Sequence, residues 1–241
     1  RRKIKTIPEL RRNHQKHKSW RAADRYILTG EPIRLEEIEA QTHARQLVEG
    51  IFRLGYAGPH YAHSFARPLR RYLLACDILW DSFTPEEKCE VRRVCALAGY
   101  ILSDGDWWQY AYRPGETTYL PNFKSDVFTC AGLVGLFLHD HPCAKVWTQG
   151  CVERLDLDLK HFLRTDGGGE ENVGGYLMST WTQLYMPVFW ALRHCGVKDY
   201  SNDPKVLAGA RFLPKILCPP DARAPGLRLG PPIGHPPHAR K

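Results

Sequence analysis

Apolar positions recur at helical spacing through most of the chain between residues 35 and 217. From Leu69 they run Leu69, Tyr72, Leu73, Cys76, Leu79 and Trp80, the stripe that one face of a 3.6-residue helix turns toward a core. Asp81 and Ser82 close that segment. Thr84-Pro85-Glu86-Glu87 opens the next, with Thr84 as cap, Pro85 at the first helical position and Glu87 three residues on to complete a capping box. Its buried face reads Val91, Val94, Cys95, Ala98, Ile101 and Leu102.

The same reading predicts an earlier helix over roughly Leu35 to Leu54 and a later one that starts after an Asn122 cap and runs to about Leu138. After the turn His139-Asp140-His141-Pro142, a further helix carries Val152, Leu155, Leu159, Phe162 and Leu163 up to Asp166-Gly167-Gly168-Gly169. Two more are expected, from about Gly174 to His194 and from about Pro204 to Leu217. Strand-like alternation is scarce. The pattern therefore predicts an all-α protein of antiparallel helical hairpins, divided into a basic arm (1–26), a helical domain (27–217) and a Pro/Gly-rich tail (218–241).

Composition narrows the class. With 241 residues, 43% of them hydrophobic, the chain is large enough for a packed core and is neither a disordered segment nor a disulfide-stapled miniprotein. No run of eighteen apolar residues predicts a membrane span. Arg1-Arg2-Lys3-Ile4-Lys5 has no apolar signal-peptide region, so the chain reads as a fragment or a processed product. The eight cysteines are widely spaced and contain no C-x-x-C; they are read as buried thiols, with one or two disulfides as the alternative. The net charge of +8 comes from the ends: residues 1–26 and 222–241 together carry +12, which leaves −4 for the body. The body is not basic, and no nucleic-acid partner is expected from it.

Three loops carry candidate chemistry. Asp104 to Arg113 concentrates Trp107, Trp108, Tyr110 and Tyr112, rings that either stack on the apolar faces of sugars or cap a helical core. In Tyr119 to Asp126, Asn122 either caps a helix or offers its amide to an anion where the free N–H groups of a helix start already favour one. Asp166 to Tyr176 holds five glycines, three carboxylates and a tyrosine, and is either a flexible turn with Tyr176 anchoring the next helix or a loop that brings Glu171 and Tyr176 to a site. The phosphate-loop pattern is missing, since no G-K-[ST] follows the glycines. His60-x-x-His63 and His139-x-His141 have ligand-like spacing without a Cys or carboxylate pattern to complete it, so neither a metal nor another cofactor is expected. A serine-hydrolase G-x-S-x-G elbow is also absent.

From Arg67 to Pro232 the chain resembles the heparinase II/III-like and oligoalginate-lyase group of polysaccharide lyases. The resemblance rests on Ala75-Cys76-Asp77-Ile78-Leu79-Trp80, on Asn122-Phe123 at a helix start, on Asp166-Gly167 followed by Glu171 and Tyr176, and on Pro231-Pro232-Ile233-Gly234. It implies an (α/α) toroid whose C-terminal antiparallel β-sheet domain lies beyond this chain, and a periplasmic or secreted location. It further implies β-elimination on a uronic-acid polymer, alginate or a glycosaminoglycan. Asn122 would neutralise the substrate carboxylate and Tyr176 would transfer protons. Trp107, Trp108, Tyr112, Arg113, Lys124 and Glu171 would contact the anionic saccharide. Phe123 stands where many members have a His, and no β-domain His is present. Two other readings stay open: a glycoside hydrolase using two carboxylates such as Asp106 and Glu171, and a carbohydrate-binding remnant without catalysis.

Overall fold

Thr84 and Glu87 show the local rules at work. In the computed structural model, which describes residues 22–54, 61–104, 121–169, 177, 180–217 and 219, the Glu87 N–H donates to Thr84 Oγ1 at 3.2 Å. The Thr84 N–H donates back to Glu87 Oε2 at 2.9 Å, which completes the capping box. Among the described residues helices make up 77% and no strand occurs. In chain order they are α1 (Ala22–Thr29), α2 (Leu35–Thr42), α3 (Ala44–Leu54), α4 (Tyr61–Ile78), α5 (Pro85–Ser103), α6 (Pro121–Phe137), α7 (Ala144–His161), α8 (Met186–His194) and α9 (Pro204–Lys215). A 3₁₀ turn, Trp80–Ser82, follows α4, and a π-helical segment, Thr180–Tyr185, precedes α8. No helix among the described residues is long and apolar enough to cross a membrane.

Three boundaries differ from the periodicity reading, each for a local reason. The helix expected over Leu35 to Leu54 is two helices, broken at His43, whose φ of 52° lies in the left-handed region. Val48 and Ile51 follow Leu35 and Ile38 by 13 residues, about 220° around an unbroken helix. The break lets all four face the core, where each is buried. The helix expected from Gly174 to His194 is π-helical over Thr180–Tyr185 before α8 begins, because Pro187 has no N–H to give to Gln183. Residues 174–176 lie outside the described residues. Helix α6 begins at Pro121, so Asn122 is the second helical residue and not the cap. The expected boundary between arm and domain also falls inside α1, whose Leu28 is buried.

Helix α6 is the axis of the packing: it touches α4, α5, α7, the π segment and α8. One apolar cluster gathers α2 to α5 with Val127, Cys130, Ala131, Val134 and Trp147. A second gathers α7, the π segment, α8 and Val206 of α9, and Leu133 of α6 packs against both. Small residues allow the close approach of α6 and α7. A Cβ on Gly132 would stand 2.5 Å from Cβ and Sγ of Cys151, and one on Gly135 would stand 2.5 Å from Thr148 Oγ1 and 2.7 Å from the Ala144 carbonyl. The glycines after Asp166 have packing roles too. Gly167, at φ +89°, lies directly against the Ala208 backbone, and a Cβ on Gly169 would meet Leu177 and Phe162.

The described cysteines carry free thiols. Cys76, Cys95, Cys130 and Cys151 are buried, and burial pushes the Cys130 thiol up to about 12. Cys89 and Cys195 are exposed, and Cys218 lies outside the described residues. Helices α2, α3 and α5 are joined by ion pairs: Arg93 holds Glu49 at 2.6 Å and Glu90 at 2.7 Å, and Arg45 reaches Glu39, Glu49 and Glu90 at 3.5, 3.2 and 3.1 Å.

The Gly135→Ala variant is expected to lose about 1–3 kcal/mol through overpacking against the Ala144 backbone. Gly150→Ala, with nothing within 4 Å of the added carbon, is expected to gain up to about 1 kcal/mol from helix propensity. Urea denaturation of both variants checks the opposite signs. The hydrogen bonds from Arg93 hold the Glu49 and Glu90 carboxyls below their usual value of 4.5. Their stabilisation is present above pH 4.5 and is lost as pH falls through the depressed values in the folded state. Arg93→Met should therefore flatten the acid limb of the stability curve measured by denaturation across that range.

Candidate functional site

A helix buried on all sides has to satisfy its polar residues inside the protein. Helix α6 places Lys124, Ser125, Asp126 and Thr129 there, none more than 6% exposed. Asp126 is answered from α4. Arg70 pairs with its Oδ1, and the half-exposed Arg67 reaches Oδ2 at 3.3 Å. A second Arg70 nitrogen, Nη1, donates to Thr129 Oγ1 at 3.2 Å, and the Thr129 hydroxyl donates to the Ser125 carbonyl one turn back. One helix face thus receives a guanidinium at several points.

On the opposite side stands Asp158 of α7, 1% exposed. Its Oδ2 accepts from the Tyr185 hydroxyl at 2.8 Å and from the Ser125 hydroxyl at 3.1 Å, while Oδ1 lies 3.2 Å from Nε of Arg154, one turn earlier on α7. Burial raises the Asp158 carboxyl above its ordinary value. The charges of Arg154 and Lys124 and the two hydroxyl donors oppose that rise. The Tyr185 hydroxyl is pushed well above its usual range, by burial first and by the Asp158 charge second. Asp158 thus receives donors from two other elements, the first turn of α6 and the end of the π segment.

Of the residues singled out from the sequence, Asn122 lies on α6 three residues before Ser125, and its side chain lies outside what the structure describes. Lys124, expected at the substrate surface, is 6% exposed and acts on Asp158 from within the packing. Trp107, Trp108, Tyr112 and Arg113, together with Asp106, Glu171 and Tyr176, lie outside the described residues. His141 has a packing role: its ring stacks on Trp147 with centroids 4.9 Å apart, and its Nδ1 accepts from the Cys143 N–H at 3.1 Å. No group of three His, Cys, Asp or Glu suited to a metal occurs among the described residues.

Ser125, Asp126, Asp158 and Tyr185 were not among the residues singled out from the sequence. The signal for Asp158 was present, since it falls in the stripe Cys151, Leu155, Asp158, Phe162, where an apolar residue is the rule. No protein-family model, curated protein or solved structure matches the chain.

Removing the Asp126 carboxylate leaves Arg70, 12% exposed, without its main counter-charge. Asp126→Ala is expected to cost about 3–5 kcal/mol, read as a lower urea midpoint at unchanged slope. Removing the exposed Arg92–Asp140 pair should leave that midpoint almost where it was.

Proposed function

We propose that this chain is the helical, toroid-type portion of a polysaccharide lyase that cleaves a uronic-acid polymer, alginate or a glycosaminoglycan, by β-elimination. The reading is supported by the position of Asn122 in the first turn of α6, just ahead of Ser125 and Asp126, which hold the helix through a hydroxyl bond to Asp158 and an ion pair to Arg70. Precise placement is what such chemistry demands of an amide that must meet developing charge.

Elimination removes the C5 proton beside the uronate carboxylate and expels the C4 oxygen. An ionised carboxylate makes that proton very weakly acidic, so the carbanion-like intermediate needs a hydrogen-bond donor at the carboxylate. Asn122 supplies it, assisted by the N–H groups at the start of α6. Tyr176 transfers protons between C5 and the leaving oxygen. With Lys124 inside the packing, Arg113 is proposed as a cation for the substrate and for the Tyr176 hydroxyl. Trp107, Trp108 and Tyr112 form sugar-stacking surface, and Glu171 binds hydroxyls.

The test is incubation with alginate, heparan sulfate and hyaluronan while the ultraviolet absorbance of the new C4–C5 double bond is followed. Unsaturated product is expected from at least one polymer. Asn122→Ala should lower kcat by about 10²–10³ and Tyr176→Phe by about 10²–10⁴. Unchanged turnover in both variants, or reducing ends formed without unsaturation, would overturn the proposal.

A further inference from the structure

Helix α6, which carries Asn122, and the π segment Thr180–Tyr185 meet on one buried carboxylate. Ser125 follows Asn122 by three residues on α6, less than one turn. Tyr185 ends the π segment Thr180–Tyr185. Both hydroxyls donate to the same oxygen, Oδ2 of Asp158, at 3.1 and 2.8 Å, and the two hydroxyl oxygens are 3.3 Å from each other. Ser125 and Tyr185 are fully buried and Asp158 is 1% exposed, so water does not compete for these bonds.

We infer that Asp158 is a positioning residue: it fixes α6 at Ser125 against the π segment at Tyr185, and so holds in place the helix start that carries Asn122. The inference rests on the lyase reading for its functional consequence, but its structural content stands apart from that reading. A carboxylate suits the task because one oxygen can accept both hydroxyls while the other faces Arg154 Nε at 3.2 Å. An apolar side chain of the same size would fill the space without fixing either neighbour's orientation.

Neither Ser125 nor Tyr185 is assigned contact with substrate, so Ser125→Ala and Tyr185→Phe loosen the junction from each side and keep Asp158 opposite Arg154. These variants avoid the folding risk of Asp158→Asn, which would turn an amide toward Arg154. Backbone hydrogen exchange is measured by mass spectrometry on the full chain. Each single variant should speed exchange in both the 122–126 turn and the 180–185 segment, with the double variant little faster than either. Acceleration confined to the mutated segment overturns the inference, whatever the chain's activity.

Turnover supplies the second readout. On a polymer that the wild-type chain cleaves, each variant should lower kcat about ten- to a hundredfold with KM unchanged, since misplacement weakens the reacting geometry more than binding. Unchanged kcat also overturns the inference. If the wild-type chain cleaves none of the three polymers, it is the lyase reading that fails, and hydrogen exchange alone decides the role of Asp158.

Discussion

Asp126 sits fully buried near the start of a helix that has other elements packed around it, and that constraint organises the rest of the molecule. A carboxylate cannot stay charged in such a place without partners, and the ion pairs of Asp126 come from another helix. Arg70 and Arg67 must come from α4, which fixes how α4 lies against α6 more narrowly than apolar contact would. The same demand on Ser125 is answered from α7. Ser125 and Asp126 thus orient α6, and the apolar residues that follow join the two clusters.

Packing and polar pairing act in series along this helix. Gly132 and Gly135 bring α7 close enough that Cys151 and Thr148 fill the space a side chain would take. That close approach carries Asp158, further along α7, alongside the first turn of α6, where Ser125 and Tyr185 reach its carboxylate. Farther from this junction, the Glu39, Glu49, Glu90, Arg45 and Arg93 group performs a similar task in wetter surroundings, holding the short helices α2 and α3 against α5. Screening by water makes that group a weaker clamp than the one around Asp126.

Much of the fold was legible because helical periodicity and caps are local signals. The capping box at Thr84 and Glu87 and the core face from Val91 to Leu102 are found where the residues indicate. The break at His43 was not legible as a turn, because neither glycine nor proline marks it. The shift in apolar phase between Ile38 and Val48 was the available clue. The extra width before α8 goes with Pro187 in its first turn, which has no N–H to give one turn back. The candidate site divides in the same way. Asn122 stood out by its place at a helix start, whereas Asp126 and Asp158 are acidic residues in amphipathic-looking helices, and a single chain does not state which face will be covered. Lys124 shows the same limit: lysines favour solvent except where a buried anion lies within reach, and this one is 6% exposed with its charge acting on Asp158.

The pairing around Asp158 also explains why so much polarity is kept in the interior. Well-packed apolar residues in place of a buried ion pair are often as stabilising, or more so. What an apolar replacement does not supply is direction. Leucine at 158 would tolerate small slips of α6 along α7, whereas a carboxylate whose Oδ2 accepts from Ser125 and Tyr185 keeps both bonds over a narrow range of relative placements only. A slip of an ångström breaks hydrogen bonds that water cannot replace. The cost of burying charge beside α6 is therefore matched to a fixed placement of α6 against α7 and the π segment.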